Sequence, residues 1–239
     1  YNWLKINPIA VETQLRAAAG FPQNEYRPIN EILAERNESM SSILSVSYET
    51  PIYMSGAAFQ YMYDAYGNTY LDAYNNIPLV GHSHPKVVNA GQRQMAQLTT
   101  NTRYLYDSLN EYADRLLSKF PAPLNKIFFV NSGSAATDLA LRLARLHTGH
   151  DGMVVVEHGY HGNTQSALDV SHYKFGSAKG QGKKDSTLVV PLPDTYRGRW
   201  SNDDGSAGKK YAEEATDLIE NFGVPLAGLI CEPIVGCGG

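Results

Sequence analysis

The chain has 239 residues, with 20 Lys and Arg against 24 Asp and Glu and 43% hydrophobic residues, enough to bury a sizeable core in one large domain or two small ones. Its formal net charge of −4 argues against nucleic acid and against an anionic membrane surface as partners, and no apolar run approaches the roughly 18 residues of a membrane span. Two cysteines, Cys231 and Cys237, make neither a disulfide framework nor a zinc pattern, so no metal is expected and a reducing, cytoplasmic setting is the simplest reading.

Residues 1–43 begin without a signal-peptide shape and carry Pro8, Pro22 and Pro28 with little periodicity, so they read as an N-terminal arm or leader. A short helix fits residues 30–40. Over residues 51–73 the pattern changes to strands. Phe59, Tyr61 and Tyr63 alternate, and Tyr66-Gly67-Asn68 supplies a turn before Thr69-Tyr70-Leu71, which predicts a β-hairpin or small meander. After Pro85, the spacing of Val87, Val88, Gly91, Met95 and Leu98 predicts a helix. Residues 44–100 are read as a small-domain segment holding the meander and this first helix. Ser108-x-x-Glu111 has the form of a capping box in front of Leu109, Tyr112, Ala113, Leu116 and Leu117, which share one helical face.

From Lys126 onward short apolar runs alternate with helices. Lys126-Ile127-Phe128-Phe129-Val130 reads as a strand, followed by a helix over residues 135–147 and the strand Met153-Val154-Val155-Val156. Thr187-Leu188-Val189-Val190 is a further strand. Residues 209–222 predict an amphipathic helix with Ala212, Ala215, Leu218, Ile219 and Phe222 inward, and residues 226–231 a last strand. Strands that are apolar on both faces and separated by helices imply an α/β fold, a mostly parallel sheet with helices on both faces. Residues 171–186 and 194–210, rich in Gly, Ser, Lys and Asp, read as long exposed loops.

Three stretches follow strands and carry candidate chemistry. Val130-Asn131-Ser132-Gly133-Ser134-Ala135-Ala136-Thr137-Asp138 leads into a helix through small residues, so a ligand phosphate could approach the free amides at the helix start. It lacks the Lys of a Walker loop and the G-x-G-x-x-G of a dinucleotide fold; an ordinary turn capped by Ser132 or Ser134 is the other reading. Glu157-His158-Gly159-Tyr160-His161-Gly162-Asn163 would share a crevice with that turn in a parallel sheet, with Tyr160 either facing a flat heteroaromatic phosphate ester or simply packing. Glu232, at the end of the last strand, either clamps a ligand or caps a neighbouring helix.

In this order and at these strand ends, the pieces resemble the class III aminotransferases, pyridoxal-phosphate enzymes of fold type I. The matching segments are Tyr70-Leu71-Asp72 with Gly81-His82-Ser83-His84-Pro85, Asn131-Ser132-Gly133-Ser134 with Leu139-Ala140-Leu141-Arg142-Leu143-Ala144-Arg145, Tyr160-His161-Gly162, and Glu232-Pro233-Ile234. Leu44-Ser45-Val46-Ser47-Tyr48, Tyr173-Lys174-Phe175 and Cys237-Gly238-Gly239 are similar to the branch that includes ethanolamine-phosphate phospho-lyase and alanine–glyoxylate aminotransferase-2-like proteins. Residues 101–239 then correspond to the N-terminal portion of the cofactor-binding large domain.

The resemblance implies pyridoxal 5'-phosphate as cofactor. Its phosphate would be held at Ser132, Gly133 and Ser134, through the amides of Gly133 and Ser134 and the Ser134 hydroxyl. Tyr160 would stack on the pyridine ring, His161 would line the pocket, and Glu232 would lie on the substrate side. Residues 76–84 and Asn101-Thr102-Arg103-Tyr104 resemble segments that reach the site or the dimer interface. Ala135 and Thr137 depart from the family's usual Glu and Asn, removing an acid from the first helical turn and weakening the case for an ordered loop. Asn163 stands where several members place a carboxylate-binding Arg, which argues against a dicarboxylate substrate.

The Schiff-base Lys and the Asp that pairs with the pyridine nitrogen lie, in the family, beyond the Glu-Pro motif. The chain starts without Met and stops on Gly238-Gly239, so a truncated chain, inactive alone, is expected. The implied activity is amino-group transfer from a primary amine or amino acid to a 2-oxo acid by a homodimer. The alternatives are a phospho-lyase acting on a phosphorylated amino alcohol, and a non-catalytic remnant or dimerisation domain.

Overall fold

The computed structural model describes residues 27–75, 79–201 and 204–238. Most of the expected arm, through residue 26, lies outside the described residues, as do Asn76 and Gly239 of the motifs above. The chain divides into two compact units, one up to Tyr106 and one from Asp107.

In the first unit, helix α1 (Ile29–Ser39) precedes strands β1 (Met54–Ala58), β2 (Tyr61–Asp64) and β3 (Thr69–Leu71), which form an antiparallel meander in the order β1-β2-β3. One acid fixes its second turn. The Asp64 carboxylate accepts the amides of Tyr66 at 2.9 Å and Asn68 at 2.8 Å, the Asn68 side-chain amide at 2.8 Å and the Tyr70 hydroxyl at 2.9 Å. A second acid, Asp72, meets His82 Nε2 at 2.6 Å and accepts the amides of Tyr74 and Asn75. Beside this pair, Phe59 and His82 exchange backbone hydrogen bonds of 2.8 Å. Gly81, at φ +89°, runs so close that a Cβ would lie 2.6 Å from Phe59 Cα. Helix α2 (Pro85–Gln97) starts with Pro at its first position, behind His84 as cap. None of its residues is buried, and Val87, Val88 and Met95 are exposed.

The second unit begins with α3 (Asp107–Leu117). The helix therefore starts one residue before Ser108, which sits in the first turn beside Asp107, and the expected capping box is not made. The run over residues 126–130 is a second correction: it forms no strand and has no ladder partner among the described residues. A β-prone run becomes a strand only where a neighbour supplies its hydrogen bonds. Without one, Phe128, Phe129 and Val130 remain exposed.

Helix α4 (Gly133–Thr148) follows, and Gly149 ends it in the left-handed conformation. Then come β4 (Gly152–Val156), the short helices α5 (Gln165–Asp169) and α6 (His172–Phe175), β5 (Thr187–Val190), α7 (Ala207–Glu220) and β6 (Leu226–Ile230). The three strands make a parallel sheet in the order β5-β4-β6. Met153 and Val155 of β4 turn one way, against Leu141 of α4, Val170 and Phe175, and Val189 joins them. Side-chain alternation sends Val190 to the opposite face, and α7 packs on β5. The sheet is thus flanked by helices on both faces, as its apolar strands require.

Two further expectations change. Of the residues expected inward along α7, Ala215, Ile219 and Phe222 are half-buried, whereas Ala212 and Leu218 are exposed and the buried positions are Ala207 and Tyr211. The Tyr211 hydroxyl donates to Asp194 O at 2.9 Å and accepts the Trp200 amide at 3.3 Å, anchoring the 194–200 loop. The segment after Val170 is not loop throughout either: Ser171 and Phe175 are buried, and exposure becomes continuous only from Gly176 to Asp185. Among the described residues no helix is long and apolar enough to cross a membrane.

Burial raises the Asp64 carboxyl, but its hydrogen bonds from Asn68, Tyr70 and Tyr66 outweigh that and hold it below the usual carboxylate range. Hydrogen bonds from Asn75 and then His82 hold Asp72 lower still. A group whose folded pKa is depressed stabilises the protein fully above its unfolded value of about 3.9 and loses that contribution as pH falls through the folded pKa. Thermal unfolding followed by circular dichroism between pH 6 and 2.5 should therefore show an acid limb below about pH 4, shallower in Asp64→Asn than in the parent.

Candidate active site

The site grows from the start of α4. Ser132 settles which serine caps the helix: its Oγ accepts the Ala135 amide at 3.1 Å and its carbonyl accepts the Ala136 amide at 3.0 Å. The remaining first-turn amides, those of Gly133 and Ser134, have no acceptor among the described residues. They lie at the positive end of a 16-residue helix with no acid in its first turn, where an anion is favoured by the free N–H groups and the helix dipole together. A Cβ built on Gly133 would meet nothing within 4 Å, so the space over this turn is open.

The loop after β4 is fastened to that helix by three hydrogen bonds. Asn163 N donates to Ser134 Oγ at 3.0 Å, Thr137 Oγ1 to His161 O at 2.7 Å, and Thr164 Oγ1 to Asp138 Oδ1 at 2.8 Å. Gly162 permits the approach: at φ +136°, its missing Cβ would stand 2.9 Å from both Ser134 Cα and Ser134 Oγ. Thr137 itself ties α4 to His161, a compensation that a comparison of motifs does not reveal.

His161 is held from both sides, since its amide donates to the buried Ser171 Oγ at 2.9 Å while Ser171 Oγ donates to Ala167 O at 2.6 Å. Its Nε2 is buried with no hydrogen-bond partner. Burial lowers its pKa, with the Glu232 charge opposing, so the ring is neutral near pH 7. Tyr160 is positioned by Glu232, whose Oε1 accepts the Tyr160 amide at 2.7 Å and whose Oε2 accepts the Gly236 amide at 3.0 Å. The carboxylate thus joins the turns that follow β4 and β6 and is not spent on capping a helix.

The Tyr160 ring meets Tyr173 edge-on, with centroids 6.2 Å apart and planes at 75°. Lys174 Nζ stands 5.5 Å from the Tyr160 centroid. Residues 79–84 and 101–104 belong to the first unit. Ser171 escaped the sequence reading, because nothing in a Gly- and Lys-rich stretch marks a buried serine as a junction. Among the described residues, no group of three or more His, Cys, Asp and Glu is placed to hold a metal ion.

Replacing Thr137 with Val keeps the shape and removes one donor, leaving the His161 carbonyl unpaired. Thr137→Val should cost about 1 kcal/mol in urea denaturation and speed amide exchange at Asn163, while Thr137→Ser should retain the parent values.

The sequence profile described as aminotransferase class-III matches residues 43–239. The alanine–glyoxylate aminotransferase 2-like protein of Drosophila melanogaster is 41% identical over 216 residues, covering 87% of this chain and 44% of that protein. The ethanolamine-phosphate phospho-lyase homolog 1 of Caenorhabditis elegans is 35% identical over 247 residues, covering 98% and 52%. Among solved structures, the phospholyase from Arthrobacter in complex with phosphoethanolamine superposes with a TM-score of 0.72 at 32% identity, covering 83% of this chain and 47% of that one. The chain spans about half the length of the curated relatives it matches. Since the matched region takes in the α4 turn, Tyr160-His161-Gly162 and Glu232, the chain belongs to the class III aminotransferase family and its α/β fold is that of the type I pyridoxal-phosphate enzymes.

Proposed function

We propose that this chain supplies the phosphate- and ring-binding part of a pyridoxal-phosphate-dependent aminotransferase, which moves an amino group from a primary amine or amino acid to a 2-oxo acid. The observation that carries the reading is the pair of unengaged amides at Gly133 and Ser134, opened toward free space by the Ser132 cap. Those amides would take the cofactor's phosphate oxygens. The Ser134 hydroxyl already accepts from Asn163, so its own hydrogen is left to donate to the same phosphate. Ser132 contributes by keeping the turn open. The cofactor, when bound, supplies an electron sink for the charge left on the substrate carbon after a proton is removed.

The other residues position and enclose. Tyr160 would lay its ring against the pyridine, a contact that contributes on the order of 1 kcal/mol beyond area burial. His161 would line the same pocket as a neutral ring with its buried Nε2 unspent. Glu232 would act at one remove, by fixing the Tyr160 amide. In this reading the cofactor-bonding lysine and the aspartate for the ring nitrogen come from sequence outside these 239 residues, and the whole protein is a cytoplasmic homodimer.

A second reading, a phospho-lyase on a phosphorylated amino alcohol, draws support from the C. elegans relative and the Arthrobacter structure. Titration of the full-length protein with pyridoxal phosphate, followed by absorbance, tests the common part. Ser134→Ala should weaken cofactor binding by about tenfold or more, since a hydrogen bond to a charged group contributes about 1.5–3 kcal/mol. Pyridoxal lacking the phosphate should be indifferent to that substitution. Amino transfer to a 2-oxo acid, against phosphate release from phosphoethanolamine, then separates the two chemistries. No cofactor uptake at all would leave the non-catalytic remnant.

A further inference from the structure

Helix α6 is four residues long, yet it is strapped to the turn after β4 at three points. Tyr173 N donates to Gly159 O at 3.1 Å, His158 N to His172 Nδ1 at 2.9 Å, and His161 N to Ser171 Oγ at 2.9 Å. Its last residue, Phe175, is buried in the core of the second unit. The residue between these anchors is Lys174, whose amide donates to Ser171 O at 2.9 Å and whose carbonyl accepts Ser177 Oγ at 2.9 Å. A backbone fixed in this way presents its side chain from a constant position relative to Tyr160.

The Lys174 ammonium lies 5.5 Å from the Tyr160 centroid and 5.3 Å from the Tyr173 centroid. Among the described residues it has no carboxylate partner, in contrast to Lys184, which pairs with Asp169, and Lys210, which pairs with Asp204. Two ring faces hold a cation weakly, by about 0.5–1 kcal/mol at an exposed site, and leave its charge uncompensated. Such a group is available to an anion.

We propose that Lys174 is a specificity-determining residue, its ammonium taking the terminal anionic group of an amine substrate, a phosphate monoester in preference to a monoanion. The proposal rests on the reading of Tyr160 as the cofactor's ring neighbour, which places the bound amine within reach of a cation beside that same ring. A compact ammonium suits phosphate as a point charge, and a dianion gains about twice the Coulomb attraction of a sulfonate or carboxylate at equal distance. The preference is independent of whether the phosphate is later kept or expelled.

The test uses the full-length, cofactor-loaded protein and ethyl phosphate, which carries the anion but no amine and so cannot react. Calorimetry should show Lys174→Ala weakening ethyl phosphate about tenfold and Lys174→Arg, which keeps the charge and the ring contact, by less than about threefold. Ethanesulfonate should bind the parent more weakly than ethyl phosphate. In turnover, the KM for phosphoethanolamine should rise in Lys174→Ala while that for ethanolamine stays within about twofold, with the cofactor absorbance unchanged. Equal ethyl phosphate affinity in parent and Lys174→Ala would overturn the proposal, as would equal rises in KM for the two amines or loss of the cofactor band. If the parent takes up no pyridoxal phosphate, the reading of the site fails separately. Ethyl phosphate binding that is lost in Lys174→Ala but kept in Ser134→Ala would still identify Lys174 as the anion's partner.

Discussion

The close approach of residues 161–164 to the first two turns of α4 is the contact on which the rest of the site depends. It can form only because Gly162 brings no Cβ into the 2.9 Å gap to Ser134. Three hydrogen bonds then fix the loop along the helix, at Ser134, Thr137 and Asp138. Each also determines something beyond itself. The bond to Ser134 occupies one lone pair of its hydroxyl and leaves the proton free. The bond from Thr137 satisfies the His161 carbonyl. A buried loop without such partners would leave polar groups whose desolvation costs more than the packing returns.

Charge follows from the same geometry. The first turn of α4 carries no acid, while Arg145 and His147 occupy its last turn. An acid near the start would favour the helix dipole, but it would also repel an anion arriving at the free amides. With Ala135 there, the helix forgoes a few tenths of a kcal/mol and keeps the positive end of its dipole undiminished for a ligand. Ser132 supplies the capping that the acid would have shared, so the helix start remains ordered without becoming neutralised. The departure at Thr137 has the same character, exchanging a family residue for one that makes a bond across to the neighbouring loop.

Much of the fold was legible because its signals are local. The period-two meander, the apolar runs of β4, β5 and β6 and the helices between them come from neighbours in the chain, and Ser132-Gly133-Ser134 and Tyr160-His161-Gly162 stand out as small-residue turns after such runs. What could not be read depends on residues far apart in sequence. Residues 126–130 have the composition of a strand but no partner among the described residues, and pairing is a property of two segments. On α7, Tyr211 is buried with its phenol reaching Asp194 and Trp200, a contact that hydrophobic spacing does not mark. Ser171 joins His161 to Ala167, and Glu232 reaches Tyr160 across 72 positions; neither link has a signature along the chain.

That last distance shows why a stretch spanning about half its relatives' length can preform one wall of a site. In the parallel register Val155 pairs with Ile230, so the segments leaving β4 and β6 emerge from the same edge of the sheet, side by side. Whatever follows β4 is then a neighbour of whatever follows β6, regardless of the long connection between them. Glu232 uses that adjacency to hold the Tyr160 amide with one oxygen and the Gly236 amide with the other, while α4, packed on β6, brings its open amides up to Gly162. The crossovers needed to make a parallel sheet are long, but they deliver three turns to one edge, and short hydrogen bonds between those turns do the rest.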